Sequence, residues 1–174
     1  MTPEATHAAA GSKRWTGRGW SVEVHDAVVV VEDRVFSLRL EGDELRDLRV
    51  GRSWFRWRLV RDSSVLARLR GLSSQQAEEM GRAIARLPVL EDVTAAVAWR
   101  TAVQEALENG KRQGRWIPNE TTERLLASRP ERGLSDRIHA AGCSPVLTED
   151  ELEAAAFLET DVPAVVRDAN ESIM

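Results

Sequence analysis

Apolar residues recur at every second position in short runs from Trp15 to Arg70, and at every third or fourth position beyond Ser74. The first period belongs to strands with one covered face and the second to amphipathic helices. Gly19–Val24 reads as a strand, followed by a turn at His25-Asp26 and a β-branched run over Ala27–Glu32. After a turn at Asp33-Arg34, Val35–Leu40 alternates; Glu41-Gly42-Asp43 turns the chain again. Leu45, Leu48 and Val50 mark an irregular strand, and Ser53–Val60 and Val65–Arg70 complete about six strands joined by hairpin loops. Residues 1–14, polar and alanine-rich, are expected to be disordered.

A helix is predicted next. Ser73 stands three residues before Gln76, the spacing of a capping box, and Ala77, Met80, Ile84 and Leu87 recur on one face up to Pro88. A meander of strands closed by one helix resembles the pleckstrin-homology-like superfold. The expected class is therefore α+β: an antiparallel β-sandwich or barrel over residues 15–90, capped by a helix, then an all-helical segment over 91–174. In that segment Asp92 is expected to cap a helix carrying Val93, Ala96, Val97, Val103 and Leu107, ending at Asn109-Gly110. Short helices follow from Asn119 and over Leu134–Ala141, the latter ended by Gly142. Thr148 and Glu151 form a second capping box, with Leu147 and Leu152 at staple positions; Leu152, Ala155, Ala156 and Phe157 make that helix's apolar side. Pro163 opens a last helix with the stripe Val165, Val166, Ala169 and Ile173. That helix has no stop signal, so the chain is expected to have continued beyond Met174.

The formal net charge of -4 conceals a segregation. Between Arg46 and Arg70 stand eight arginines against Asp47 and Asp62, whereas eight acids stand against Arg167 from Thr148 onward. Such asymmetry points to charged partners. The densest part is Gly51–Arg61, with the sequence GRSWFRWRLVR. Read as one strand, it puts Phe55, Trp57 and Leu59 on a packed side and Trp54, Arg56, Arg58 and Val60 on a solvated side. Guanidinium forks match phosphate oxygens, and an indole face stacks on a base. The candidate nucleic-acid surface is Trp54, Arg56 and Arg58 with Arg68 and Arg70 from the next strand, and Arg49 and Arg52 nearby. The competing reading is a half-buried strand whose arginines meet the protein's own carboxylates, with Trp54 covered. Trp116, between a basic loop and Pro118, is expected to be a packing anchor.

No Walker A loop, dinucleotide-binding glycine motif or nucleophile elbow is present. Cys143 is the single cysteine, which excludes an intrachain disulfide and fits a reducing, cytoplasmic setting. His7, His25 and His139 have no ligand spacing, so neither metal nor cofactor is expected. No apolar run is long enough to cross a bilayer, and the loops between the early strands carry acids, against membrane binding. A catalytic function is not expected.

The order of parts is similar to a known arrangement. A pleckstrin-homology-like β unit precedes a helical segment with Gly114-Arg115-Trp116-Ile117-Pro118, and Asn170-Glu171 closes the chain. This resembles the N-terminal accessory region of bacterial DNA helicase IV-like proteins, in the UvrD/Rep group of superfamily 1, without the motor. The resemblance implies an accessory DNA-binding role, with single-stranded or junction DNA and a helicase motor domain as partners. The alternative is a protein-interaction or homodimerisation module with no direct DNA contact.

Overall fold

A computed structural model describes residues 12–25 and 27–173. The chain is α+β and parts into two compact units between Pro88 and Val89. The first holds seven strands in two antiparallel sheets. β1 (Lys13–Gly17), β2 (Trp20–His25), β3 (Val28–Asp33) and β4 (Ser37–Glu41) form one sheet in chain order. A 3-10 turn, Gly42–Leu45, leads to β5 (Leu48–Ser53), β6 (Arg56–Arg61) and β7 (Ser64–Leu69), which form the other. The sheets do not close into one hydrogen-bonded barrel.

β1 contradicts the expected disorder at Lys13 and Arg14; residues 1–11 lie outside the described residues. One buried aromatic in a polar stretch, Trp15, is too little signal for an edge strand. Ser53–Val60 is not one strand, because Trp54-Phe55 forms a two-residue turn between Ser53 and Arg56. Phe55 is therefore not packed but 86% exposed. Val35 and Phe36 likewise fall in the β3–β4 turn, and β4 starts at Ser37.

Val22, Val29, Val31, Leu40, Leu59 and Leu69 fill the core of this unit, together with Met80, Ile84 and Leu87. The latter three come from the first part of α1 (Ser74–Gln113). Its capping box is as expected: the Gln76 amide donates to Ser73 Oγ at 3.2 Å, and the Ser73 amide donates to Gln76 Oε1 at 3.1 Å. Trp20 ties the two sheets together. Its indole lies where a Cβ on Gly17 would come within 2.3 Å, and Nε1 donates to the Arg70 carbonyl at 3.0 Å. Gly17 thus makes room for the ring that anchors the end of β7.

α1 does not end at Pro88, and Asp92 is not a cap: the helix is 40 residues long in all, with Pro88 inside it. Losing one backbone bond there costs about 3 kcal/mol. Leu87 is buried in one core and Val89, Val93, Ala96 and Trp99 in the other, and burial of this kind stabilises by about 1.5–3 kcal/mol per large side chain. The helix also continues through Asn109-Gly110. Gly110 is a notch, where a Cβ would stand 2.9 Å from Ile117.

The second unit contains the rest of α1 with α2 (Asn119–Ala127), α3 (Leu134–Ala140), α4 (Glu149–Phe157) and α5 (Val162–Glu171). α4 has the expected capping box. Its covered side differs from the expected one: Ala154, Ala155 and Leu158 are buried, while Leu152 and Ala156 are exposed. Trp116 is 59% exposed, and Ile117 is the residue this segment buries. Asn170 holds Ile117 through two hydrogen bonds. The Ile117 amide donates to Oδ1 at 2.8 Å, and Nδ2 donates to the Ile117 carbonyl at 3.2 Å. Cys143 is fully buried.

Candidate nucleic-acid interface

Strand register decides which arginines share a surface. Cross-strand partners lie on the same face of a sheet, and neighbours along a strand lie on opposite faces. Gly51 pairs with Arg58, which in turn pairs with Arg68; Ser53 pairs with Arg56, and Arg49 with Val60. Arg49, Arg56, Arg58 and Arg68 therefore stand on one face of the β5–β6–β7 sheet, opposite the one that carries Leu59 and Leu69 into the core. Arg70 follows β7 directly, two positions beyond Arg68.

Arg52 is not part of this face. It pairs with Trp57, and its guanidinium lies 5.5 Å from the centre of that ring. Arg49 and Arg52 are three positions apart on one strand, so both cannot face the same way. Arg52 instead covers the half-buried Trp57 by a cation–π contact.

Trp54 occupies the β5–β6 turn, not the strand face. It is 89% exposed, and a hollow of about 360 Å³ is lined by Ser53, Trp54, Phe55, Arg56 and Arg58. Two aromatic residues and two arginines thus border one depression. Trp54 has φ 56°, a left-handed conformation unusual for a bulky side chain.

The acids of this unit lie elsewhere. Asp43 and Glu44 pair with Arg46 and Arg61, Glu79 with Lys13, Glu78 with Arg82, and Glu23 and Glu32 with Arg14. Among the described residues no carboxylate pairs with Arg49, Arg52, Arg56, Arg58, Arg68 or Arg70. Arg58 and Arg68 face each other across neighbouring strands, an arrangement of like charges that disfavours the folded state. Arg58 Nε is moreover buried with no hydrogen-bond partner among the described residues. An anion over this face would relieve the repulsion and could accept from the outer nitrogens of the fork.

One further basic region escaped the sequence reading. Arg18 and Gly19 of the β1–β2 turn, Asp33 at the end of β3, Arg34 of the β3–β4 turn, and Val65, Leu66, Ala67, Arg68 and Arg70 line a groove of about 460 Å³. Arg18 and Arg34 stand alone in turns far from the arginine-rich run, so only the tertiary fold brings them to Arg68 and Arg70.

Among the described residues no group of histidine, cysteine, aspartate and glutamate has the arrangement of a metal site. No described helix is long and apolar enough to cross a membrane. The chain matches no protein-family model, and neither a curated protein nor a solved structure matches it.

Proposed function

We propose that the chain is a non-catalytic accessory domain of a UvrD-like DNA helicase, acting in the cytoplasm, and that its first unit is a pleckstrin-homology-like domain contacting DNA through the outer face of the β5–β6–β7 sheet. The observation that carries the DNA contact is the bare, mutually facing Arg58–Arg68 pair beside the exposed Trp54. Arg49, Arg56, Arg58, Arg68 and Arg70 contact phosphates, which gives affinity without sequence preference. Trp54 stacks on an unpaired base, so single-stranded or junction DNA is favoured over continuous duplex. The helicase context rests on the order of parts and on the Arg115-Trp116-Ile117-Pro118 and Asn170-Glu171 segments. The Asn170–Ile117 hydrogen bonds join these two segments and give both a common structural role.

The test is titration of a labelled oligothymidine by anisotropy over a salt series. With four or five phosphates neutralised, the log–log slope is about -3 on a single strand. Arg56→Ala with Arg58→Ala weakens binding and flattens the slope by about 1.4. Unchanged affinity and slope in low salt would remove the sheet face from DNA binding.

A further inference from the structure

The groove that Arg18, Arg34, Arg68 and Arg70 line is assembled around one residue, Trp20. Trp20 pairs with Gly17 of β1 and with Asp33 of β3, so the β1–β2 and β3–β4 turns stand at the same end of their sheet. Those turns supply Arg18 and Arg34. The Trp20 indole Nε1 donates to the Arg70 carbonyl at 3.0 Å, which brings the end of β7 to the same place. Gly19 then positions Arg34. A Cβ on Gly19 would stand 2.7 Å from Arg34 Nε, so the arginine side chain lies where the glycine leaves space. On the other side β7 is irregular: Leu59 pairs with Ala67 but Val60 with Val65, which leaves Leu66 as a bulge.

The charge of the groove is as one-sided as its construction is specific. Four arginines against Asp33 alone leave a balance of +3 in the lining. The Asp33 carboxylate already accepts from the Arg34 amide. Among the described residues none of the four arginines has a carboxylate partner. The lining holds no aromatic ring, so it offers a base nothing to stack on, whereas guanidinium forks match phosphate oxygens. Arg68 belongs both to the groove and to the outer face of the β5–β6–β7 sheet, where it stands level with Arg58. The groove therefore begins where the sheet face ends. We propose that it carries the phosphates of a single DNA strand onward from that face, with Arg18 and Arg34 on one side of the backbone and Arg68 and Arg70 on the other. This path rests on the sheet-face contact proposed above and gives it a direction: a base stacks at Trp54, and beyond Arg68 only the backbone is held.

The experiment compares labelled oligothymidines of about five and about twelve nucleotides by anisotropy over a salt series. The shorter one has no more phosphates than the sheet face takes; the longer one reaches the groove. Its log–log slope is expected to be steeper by about 1.4, for two further phosphates. Arg18→Ala with Arg34→Ala removes that difference and weakens the longer strand about tenfold at 0.1 M salt, while the shorter one stays within twofold. Both substitutions are at exposed turn positions, and an unchanged circular dichroism spectrum checks the fold. Arg56→Ala with Arg58→Ala weakens both lengths. If only this second variant weakens the longer strand, the groove is overturned and the sheet face stands. If only the first variant does, the sheet face is struck out and the groove is kept as the DNA contact. Equal losses for both lengths in the Arg18→Ala, Arg34→Ala variant would overturn the onward path. Binding of polyglutamate that this variant loses, with no binding of either oligothymidine, would overturn the proposal and assign the groove to an acidic protein segment.

Discussion

The β5–β6 and β6–β7 hairpins belong to one sheet and turn in the same way, yet their turn residues obey opposite rules. Each has two residues in the turn, Trp54-Phe55 and Asp62-Ser63, closed by the pairs Ser53–Arg56 and Arg61–Ser64. In each the first turn residue is left-handed, with φ 56° at Trp54 and 51° at Asp62. Aspartate tolerates that region because its short side chain bonds locally, whereas a bulky residue is strained there by roughly 1–2 kcal/mol. The β6–β7 turn suits its backbone. The β5–β6 turn accepts strain and also exposes two aromatic rings to water. Nothing in the fold of the sheet asks for tryptophan at this position, since the neighbouring hairpin closes without one. The β5–β6 turn thus carries a strained, 89% exposed ring that closing the hairpin does not require.

The largest effect is expected from making the two turns alike. Trp54→Asp with Phe55→Ser is predicted to raise stability by about 1 kcal/mol, read as a higher midpoint in urea. The same variant is predicted to lose about 1–3 kcal/mol of single-strand affinity, read by oligothymidine anisotropy. Stability and binding thus move in opposite directions. If both fall, the aromatic turn is a structural element and the comparison is broken. Asp62→Gly serves as the matched control, with oligothymidine affinity unchanged within twofold.

A smaller effect separates charge from stacking. Arg58→Met removes one half of the facing arginine pair and the buried, unpartnered Nε with it. Stability is predicted to rise by about 0.2–1 kcal/mol, and the salt slope on single strands to flatten by about 0.7. Arg61→Met, three residues on, removes a cation that already holds Glu44 at 2.9 Å. It is predicted to leave the salt slope unchanged and to cost between about 0.2 and 1 kcal/mol of stability. Equal slopes for the two variants would mean that pairing within the protein does not decide which arginines are free for phosphate.

The same hairpins show how far the chain could be read without coordinates. Alternation in β6 put Arg56 and Arg58 together correctly, because a strand's period survives wherever its ends are drawn. It failed at Trp54, since no glycine, asparagine or proline marks the turn, and a tryptophan beside a phenylalanine reads as strand. The missed turn also hid the register, which puts odd positions of β5 beside even positions of β6, so Arg49 joins the face and Arg52 leaves it. Capping boxes at Ser73 and Thr148 were legible because they are local, with both partners within three residues. Pro88 and Gly110 misled because tertiary burial outweighed local propensity: apolar residues on both sides of the proline are covered, and the glycine fits against Ile117. Arg18 and Arg34 were invisible because a groove between turns has no sequence period.

The smallest effect belongs to a cation that is neutralised from the start, the counterpart of the bare sheet face. Lys13 Nζ of β1 donates to Glu79 Oε1 of α1 at 2.8 Å. This hydrogen bond, then the ammonium charge, holds the Glu79 carboxyl below its ordinary value of 4.5. A depressed carboxyl binds protons more readily in the unfolded chain than in the folded one. Its contribution to stability is therefore complete above pH 4.5 and is lost as the pH falls through the lower folded value. Both groups are about half exposed, so the contribution is small and screened by salt. Lys13→Ala is predicted to lower the urea midpoint slightly at pH 7, with the gap from the unsubstituted chain closing as the pH falls below 4.5. High salt should narrow that gap at neutral pH while raising the stability of the unsubstituted chain through its arginine face, because screening weakens the attraction between Lys13 and Glu79 and the repulsion between Arg58 and Arg68 alike. A gap of constant size across the acid range would mean that Lys13 acts through packing in β1 and not through its charge.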